Sequence, residues 1–274
     1  MTGAKQERKV KMMNRMQLAL MKKDIRGITS NKQVFSVMLM VPLALTIILP
    51  SIFVFVTVLV PDTTSDFQKL LEMLPSTEQI GNQKQMILGL LLNKIMPVFF
   101  LMIPIMASSV MAASSFVGEK EKHTLETLLY SPLSLKQLFQ SKILASFSVS
   151  MMVSFISFAA MIVVMEIEVL LLTGSAVMPD LSWMIIMLLI APSISLVAIS
   201  ITVRGSAKAQ TIEEAQQRAV FLVFPIIALV IGQFTGIIMV STWILLGLGI
   251  VLPLIAALLV KGSVGKFTYE KLLR

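Results

Sequence analysis

The chain lacks cysteine altogether and has one histidine, His123, in 274 residues. Disulfides, thiolate metal sites and a cysteine nucleophile are therefore excluded. A lone imidazole cannot supply a multi-histidine metal centre within one chain, so neither a catalytic set nor a metal site is expected. Charge is scarce too. Only 14% of residues are Asp, Glu, Lys or Arg, against about 25% in an ordinary soluble domain. The net charge of +8 is carried beside apolar runs, and no basic domain interleaved with aromatics is present. Nucleic acid is therefore not an expected partner. No G-x-x-x-x-G-K-[ST] occurs. Gly262-Ser263-Val264-Gly265-Lys266-Phe267 has the wrong spacing and no hydroxyl after the lysine, so the chain is not expected to hold ATP itself.

What is abundant is apolar sequence: 56% of residues, with a mean hydropathy of +0.88. It comes in blocks near or above the roughly 18–20 residues that mark a membrane-spanning helix, not in the amphipathic periods of a soluble core. The expected fold is all-α and polytopic. Six spans are predicted at about 34–60, 95–117, 143–165, 181–203, 219–240 and 243–260, between a basic segment 1–33 and a tail 261–274. The basic segment is too long, and the run after it too apolar and too long, for a cleaved signal peptide. The stretch Met86 to Leu92 is also apolar but is followed by Asn93 and Lys94, which predicts a short outer interfacial helix before the second span. Pro97 and Pro104 predict bends within that span. Of the 23 Lys and Arg residues, twenty fall in 1–33, 118–142, 204–218 and 261–274, and three, Lys69, Lys84 and Lys94, fall in the alternate segments. The positive-inside rule then places both termini on the cytoplasmic side of a multi-pass cell-membrane protein.

Two cytoplasmic stretches carry further pattern. Leu18, Met21, Ile25 and Ile28 fall on one helical stripe, with Lys22, Lys23 and Arg26 on the other side. This predicts an amphipathic helix lying in the lipid interface. In the loop 118–142, Thr124 can cap a short helix with apolar Leu125, Leu128 and Leu129, and Ser131-Pro132 stops it. Ser134 and Gln137 then form a capping-box pattern that starts the next helix. The short helix has a leucine face and acidic neighbours Glu119, Glu121 and Glu126, suited to a groove on a soluble partner.

These residues resemble a known family. Gly118-Glu119-Lys120-Glu121-Lys122-His123-Thr124-Leu125-Glu126-Thr127-Leu128-Leu129, with Pro132 after it, is similar to the glutamate-rich coupling loop of type-2 ABC transporter permeases, commonly E-x-E-x-G-T-L-E-x-L-L followed by proline. His123 stands where the family commonly has glycine, a departure that bears on the turn before the helix. Lys22-Lys23-Asp24-Ile25-Arg26 resembles the family's interfacial elbow helix. Val203-Arg204-Gly205 through Glu214-Ala215-Gln216-Gln217 resembles the loop before its fifth span. The resemblance implies one half of an exporter's membrane part. A second permease copy or a related permease would pair with it. A separate ABC ATPase subunit, carrying the ATP and Mg, would seat on the loop helix. Surrounding membrane lipid is the remaining partner, and no cofactor is expected on this chain.

Other patterns point elsewhere or to packing. Glu213-Glu214-Ala215-Gln216-Gln217-Arg218 is similar to the E-E-x-x-x-R of intramembrane prenyl-protease-like enzymes. Those also need downstream histidines, and the single histidine here lies upstream. Glu166 and Glu168 stand at the outer end of the third span on different helix faces, where acids are ordinary; deeper in the membrane they would mark an ion path. Gly232 and Gly236, with Gln233 between them, form a G-x-x-x-G suited to close helix packing, with Gln233 also a candidate for lining a pathway. The alternative function is an ATP-independent channel or secondary transporter, which favours membrane-embedded charged pairs or broken helices at a midplane site.

Overall fold

A computed structural model describes residues 2–30, 32–59, 83–124, 127, 130, 132–174, 179–206, 209–235, 237–238 and 240–265. Every regular element among them is helical. In chain order these are α1 (Thr2–Ser30), α2 (Lys32–Leu59), α3 (Gln83–Leu90), a π turn π1 (Leu91–Ile95), α4 (Met96–Phe100) and α5 (Met102–Glu121). They are followed by α6 (Leu135–Thr173), α7 (Leu181–Ile185), a second π turn π2 (Ile186–Ile190), α8 (Ala191–Ser206), α9 (Ile212–Val220), α10 (Val223–Phe234) and α11 (Thr242–Gly265).

Among the described residues five continuous rods are long and apolar enough to cross a bilayer: α2, α3 to α5, α6, α7 to α8, and α11. The expected first, fourth and sixth spans match them closely. The third is longer than expected. Ser134 caps α6 with its hydroxyl accepting from Gln137 N–H, and the Gln137 side chain accepts from Ser134 N–H. From that start the helix runs 39 residues, about 58 Å at 1.5 Å per residue. It ends at Gly174, whose φ of 69° is the left-handed C-cap conformation that glycine adopts without strain.

The second span also starts earlier than predicted, and the separate interfacial helix over 86–92 is corrected: it is the first part of the same rod. Asn93 and Lys94 do not break it because their polar groups are satisfied in place. Lys94 Nζ lies 3.5 Å from Asp180 Oδ2, and Asn93 Oδ1 accepts from Asp180 N–H at 3.1 Å. Trp183 Nε1–H donates to Leu92 O at 3.0 Å. Ile87, Leu88 and Leu91 are accordingly buried.

Proline shapes both inner rods in the same way. A proline lacks the N–H that would bond the carbonyl four residues back, and its ring crowds that carbonyl. For Pro97 and Pro192 those carbonyls belong to Asn93 and Leu188. Each lies in a π turn, where the chain widens and closes Met96 N–H onto Leu91 O and Ala191 N–H onto Ile186 O. Pro104 has a milder effect: the helix interrupts at Leu101, whose N–H reaches Val98 O at 3.1 Å.

The α3–α5 and α7–α8 rods form the buried centre, while α2, α6 and α11 turn large apolar side chains outward. Ile52, Phe55, Ile156, Val163, Leu254 and Leu258 are exposed in this way, as expected of faces solvated by lipid chains. Between α6 and its neighbours runs a stripe of buried serines, Ser146, Ser150, Ser154 and Ser157. Ser150 and Ser195 hydroxyls meet at 2.8 Å across α6 and α8. Small residues of this kind let membrane helices approach closely. Phe100, Phe158 and Trp183 pack edge to face or tilted, with centroids 5.2–5.8 Å apart, and join three rods.

The fifth expected span, 219–240, differs. Its helix α10 has 12 residues, about 18 Å long against a hydrocarbon core of about 30 Å. The rods around it fix its direction. Ser182 and Thr242 hydroxyls lie 3.3 Å apart at the starts of α7 and α11. At the other end Arg204 donates from Nε to Ser263 Oγ (2.9 Å) and from Nη2 to Leu259 O (2.8 Å). The α7–α8 rod and α11 are therefore parallel, and the chain between Arg204 and Thr242 returns from one end of the bundle to the other through α9 and α10.

Candidate functional site

The site is assembled at the end of the bundle where α5 stops and α6 begins. Lys142, two turns into α6 and just before its long apolar run, is 1% exposed. Its Nζ lies 3.3 Å from Asp24 Oδ2 of α1 and 3.8 Å from Glu119 Oε1 of α5. It donates to Ser115 O and lies 5.6 Å from the centre of the Phe116 ring. Ser115 Oγ donates to Asp24 Oδ2 at 2.8 Å. At the rim, Lys23 Nζ donates to Glu119 Oε1 at 2.7 Å. Two cations and two carboxylates thus join α1, α5 and α6, the three helices that surround the loop expected to bind a partner. A cleft of about 200 Å³ opens over the cluster between α1 and the end of α5, bordered by Lys23, Glu119, Lys122 and Thr124.

The ion pairs at the rim and in the interior differ in weight. Lys23 is more than half exposed, and pairs of that kind contribute about 0–1 kcal/mol. Asp24 and Lys142 are both buried, so each compensates a charge that would otherwise be stranded away from water. Losing one partner of the Asp24–Lys142 pair would therefore strand a charge between α1 and α6.

Thr124 does not point forward. Its hydroxyl donates to the Glu119 carboxylate and its N–H to Glu119 O at 2.9 Å, folding the chain back onto the end of α5. Just before it, His123 takes φ 54°, the left-handed region that favours glycine. The position where the resembled loop has glycine is thus the position where the backbone requires that conformation. Glu121 and Pro132 are exposed. Leu125, Glu126, Leu128 and Leu129 lie outside the described residues, so the expected loop helix does too.

On α1 the predicted stripe faces as follows. Ile28 is buried, and Met21 and Ile25 pack against the core, with Lys22, Lys23 and Arg26 outward. Leu18 is 69% exposed, and Leu20 is the buried leucine of that turn. Sequence reasoning assigned no role to Asp24, Ser115 or Lys142. Asp24 was nonetheless visible by register, since Leu20, Asp24 and Ile28 repeat at i, i+4, i+8. Lys142 lies on the same buried face as Leu138 and Ser146.

α9 packs beside this cluster. Ile212 Cδ1 would be 3.6 Å from a Cβ placed on Gly118, and Ala209, Ile212 and Ala215 pack on Ala113 and Val117. Glu214 is occupied in capping: its carboxylate accepts from Gln210 N–H at 2.9 Å, and its N–H donates to Thr211 Oγ1 at 3.3 Å. Among the described residues no three His, Asp or Glu side chains converge as metal ligands would.

The far end holds the remaining candidates. Gln233 is fully buried, and its Nε2 donates to Lys94 O in π1 at 3.1 Å. Gly232 approaches Ile238, whose Cδ1 would sit 3.2 Å from an added Cβ. Both therefore pack within the chain, and Gly236 lies outside the described residues. Glu166 and Glu168 end up half-buried near the end of α6.

A family model described as ABC-2 family transporter protein matches residues 70–212. The match includes Ser115, Glu119 and Lys142 of the cluster and stops short of Asp24. No curated protein and no solved structure matches the chain.

Proposed function

The chain belongs to the ABC-2 family of transporter proteins, and from that premise we propose that it is the permease half of an ATP-driven exporter, worked by a separate ATPase subunit. It is a multi-pass membrane transport subunit; ATP and Mg belong to the partner. The observation that carries the coupling reading is that both ends of the loop 122–134 are tied to one buried cluster, through Glu119 and Thr124 on one side and Lys142 on the other. A partner that displaces this loop moves α1, α5 and α6 together. Glu119, Glu121, Thr124, Leu125, Glu126, Leu128, Leu129 and Pro132 are the docking segment, and the interfacial helix around Met21 to Arg26 is the hinge it pulls. α10 and its flanking apolar residues make the fifth crossing and bring the count to six, because α7–α8 and α11 are parallel. Both termini are then cytoplasmic. A second permease, identical or related, completes the translocation path.

The test is affinity purification of tagged protein from its own membrane, comparing wild type with a Glu126→Lys, Leu129→Asp double variant. A stoichiometric ATPase with wild type, lost in a variant that still reaches the membrane, is the expected result. Wild type carrying no ATPase under extraction that preserves a known complex would overturn the reading.

A further inference from the structure

A groove of about 700 Å³ lies on the outer flank of the bundle, between α1, α6, α8 and α11. Its walls are apolar: Leu18, Met21, Leu144, Leu196 and Val260. One end is polar, with Gln17, Gln140 and Lys261. Its depth follows from the neighbours. Leu144 is two residues past Lys142, and Val260 follows Leu259, the carbonyl that Arg204 holds. Leu196 lies eight residues before Arg204, about 12 Å farther into the membrane. The groove thus begins at the charged belt and descends between the spans. Leu18 and Leu144, at its mouth, are 69% and 54% exposed, which is what a surface facing lipid shows.

Among the described residues the charge around the polar end has one sign. Lys136 lies one turn before Gln140 on the exposed face of α6, and Arg15 and Lys22 flank Leu18 on α1; all three are exposed. Among the described residues no acid lines the groove. Asp24, three residues past Met21, and Glu119 are engaged in the buried cluster. An apolar slot that ends in basic and amide groups at headgroup depth complements one kind of molecule.

We propose that this groove is a binding site for an anionic phospholipid of the cytoplasmic leaflet, an acyl chain against Leu144, Leu196 and Val260 and the phosphate at Lys261. The site depends on this end of the bundle facing the cytoplasm. It does not depend on an ATPase partner, so it can fail or hold independently of the coupling reading.

The test is native mass spectrometry of the full, delipidated chain given equal phosphatidylglycerol and phosphatidylcholine. Wild type should retain the anionic lipid over the zwitterionic one by about fivefold, the effect of one basic residue near an anionic surface. Lys261→Glu should remove the preference and leave phosphatidylcholine binding intact, and Lys261→Arg should keep the preference. Leu196→Trp should reduce both lipids by filling the slot. If that variant does not fold, Leu144→Trp closes the same mouth from the surface. Equal retention of the two lipids by wild type, or a preference untouched by Lys261→Glu, would overturn the proposal. So would a non-lipid apolar molecule, or a second copy of the chain, found in the groove in place of phospholipid.

Discussion

Removing Lys142 would leave Asp24 buried with only the Ser115 hydroxyl to answer its charge. Breaking one side of such a pair costs about 3–5 kcal/mol, while replacing both partners with apolar side chains of similar size is often near neutral. Lys142→Met is therefore expected to lower thermal stability in detergent sharply, and Asp24→Leu together with Lys142→Met to recover most of it. A double variant as damaged as the two single losses combined would mean the side chains act separately. His123 has the opposite character. Its left-handed backbone costs a non-glycine residue about 1 kcal/mol, so His123→Gly should stabilise the chain by about that much, read as a rise in melting temperature. The loop pattern showed which residue departs from glycine, but not what the backbone there does. That needed the conformation itself.

At the scale of elements, the ends of helices were more legible than their interiors. The Ser134–Gln137 box starts α6 as its spacing implies, and Ser134→Ala should cost about 1 kcal/mol. Hydrogen exchange should rise in residues 135–138 and stay unchanged beyond the first turns. An equal rise along the whole helix would place the stability elsewhere. The long apolar runs were legible because lipid demands them, but their boundaries were not. Lys94 and Asn93 read as a break until Asp180 is seen to satisfy them from another rod. The π turns gave no periodic signal, although in each rod the proline two residues on marks where the regular ladder must fail. α10 reads as a full span by hydropathy and is shorter because the chain turns at Thr235, where Gly232 O accepts from Ile238 N–H.

For the whole molecule, the absence of cysteine becomes an instrument. Single cysteines can be placed on the native background with no others to remove. Gln210 and Ser241 are both exposed, at opposite ends of the stretch that holds α9 and α10. A membrane-impermeant maleimide applied to sealed vesicles should label Gln210→Cys from the same side as Tyr130→Cys, and Ser241→Cys from the other side only. Labelling of Gln210→Cys and Ser241→Cys from one side would rule out a crossing between them. The charge bias had already indicated this sidedness, because basic residues alternate so unevenly between segments. It could not identify the cluster that ties α1 to the bundle, since that cluster joins residues far apart in the chain.

That separation has a consequence for biosynthesis. Asp24 and Lys142 are 118 positions apart. A ribosome adding about 5–20 residues per second makes the second roughly 6–24 s after the first. Throughout that interval Asp24 lacks the lysine that balances it when buried, so α1 is expected to stay undocked while the first two rods are made. Lys142 arrives at the start of the third rod and closes the latch behind it. Chains released after Phe139 should leave α1 open to added protease, and chains released after Thr173 should protect it. Docking of α1 thus reports that the third rod has been made.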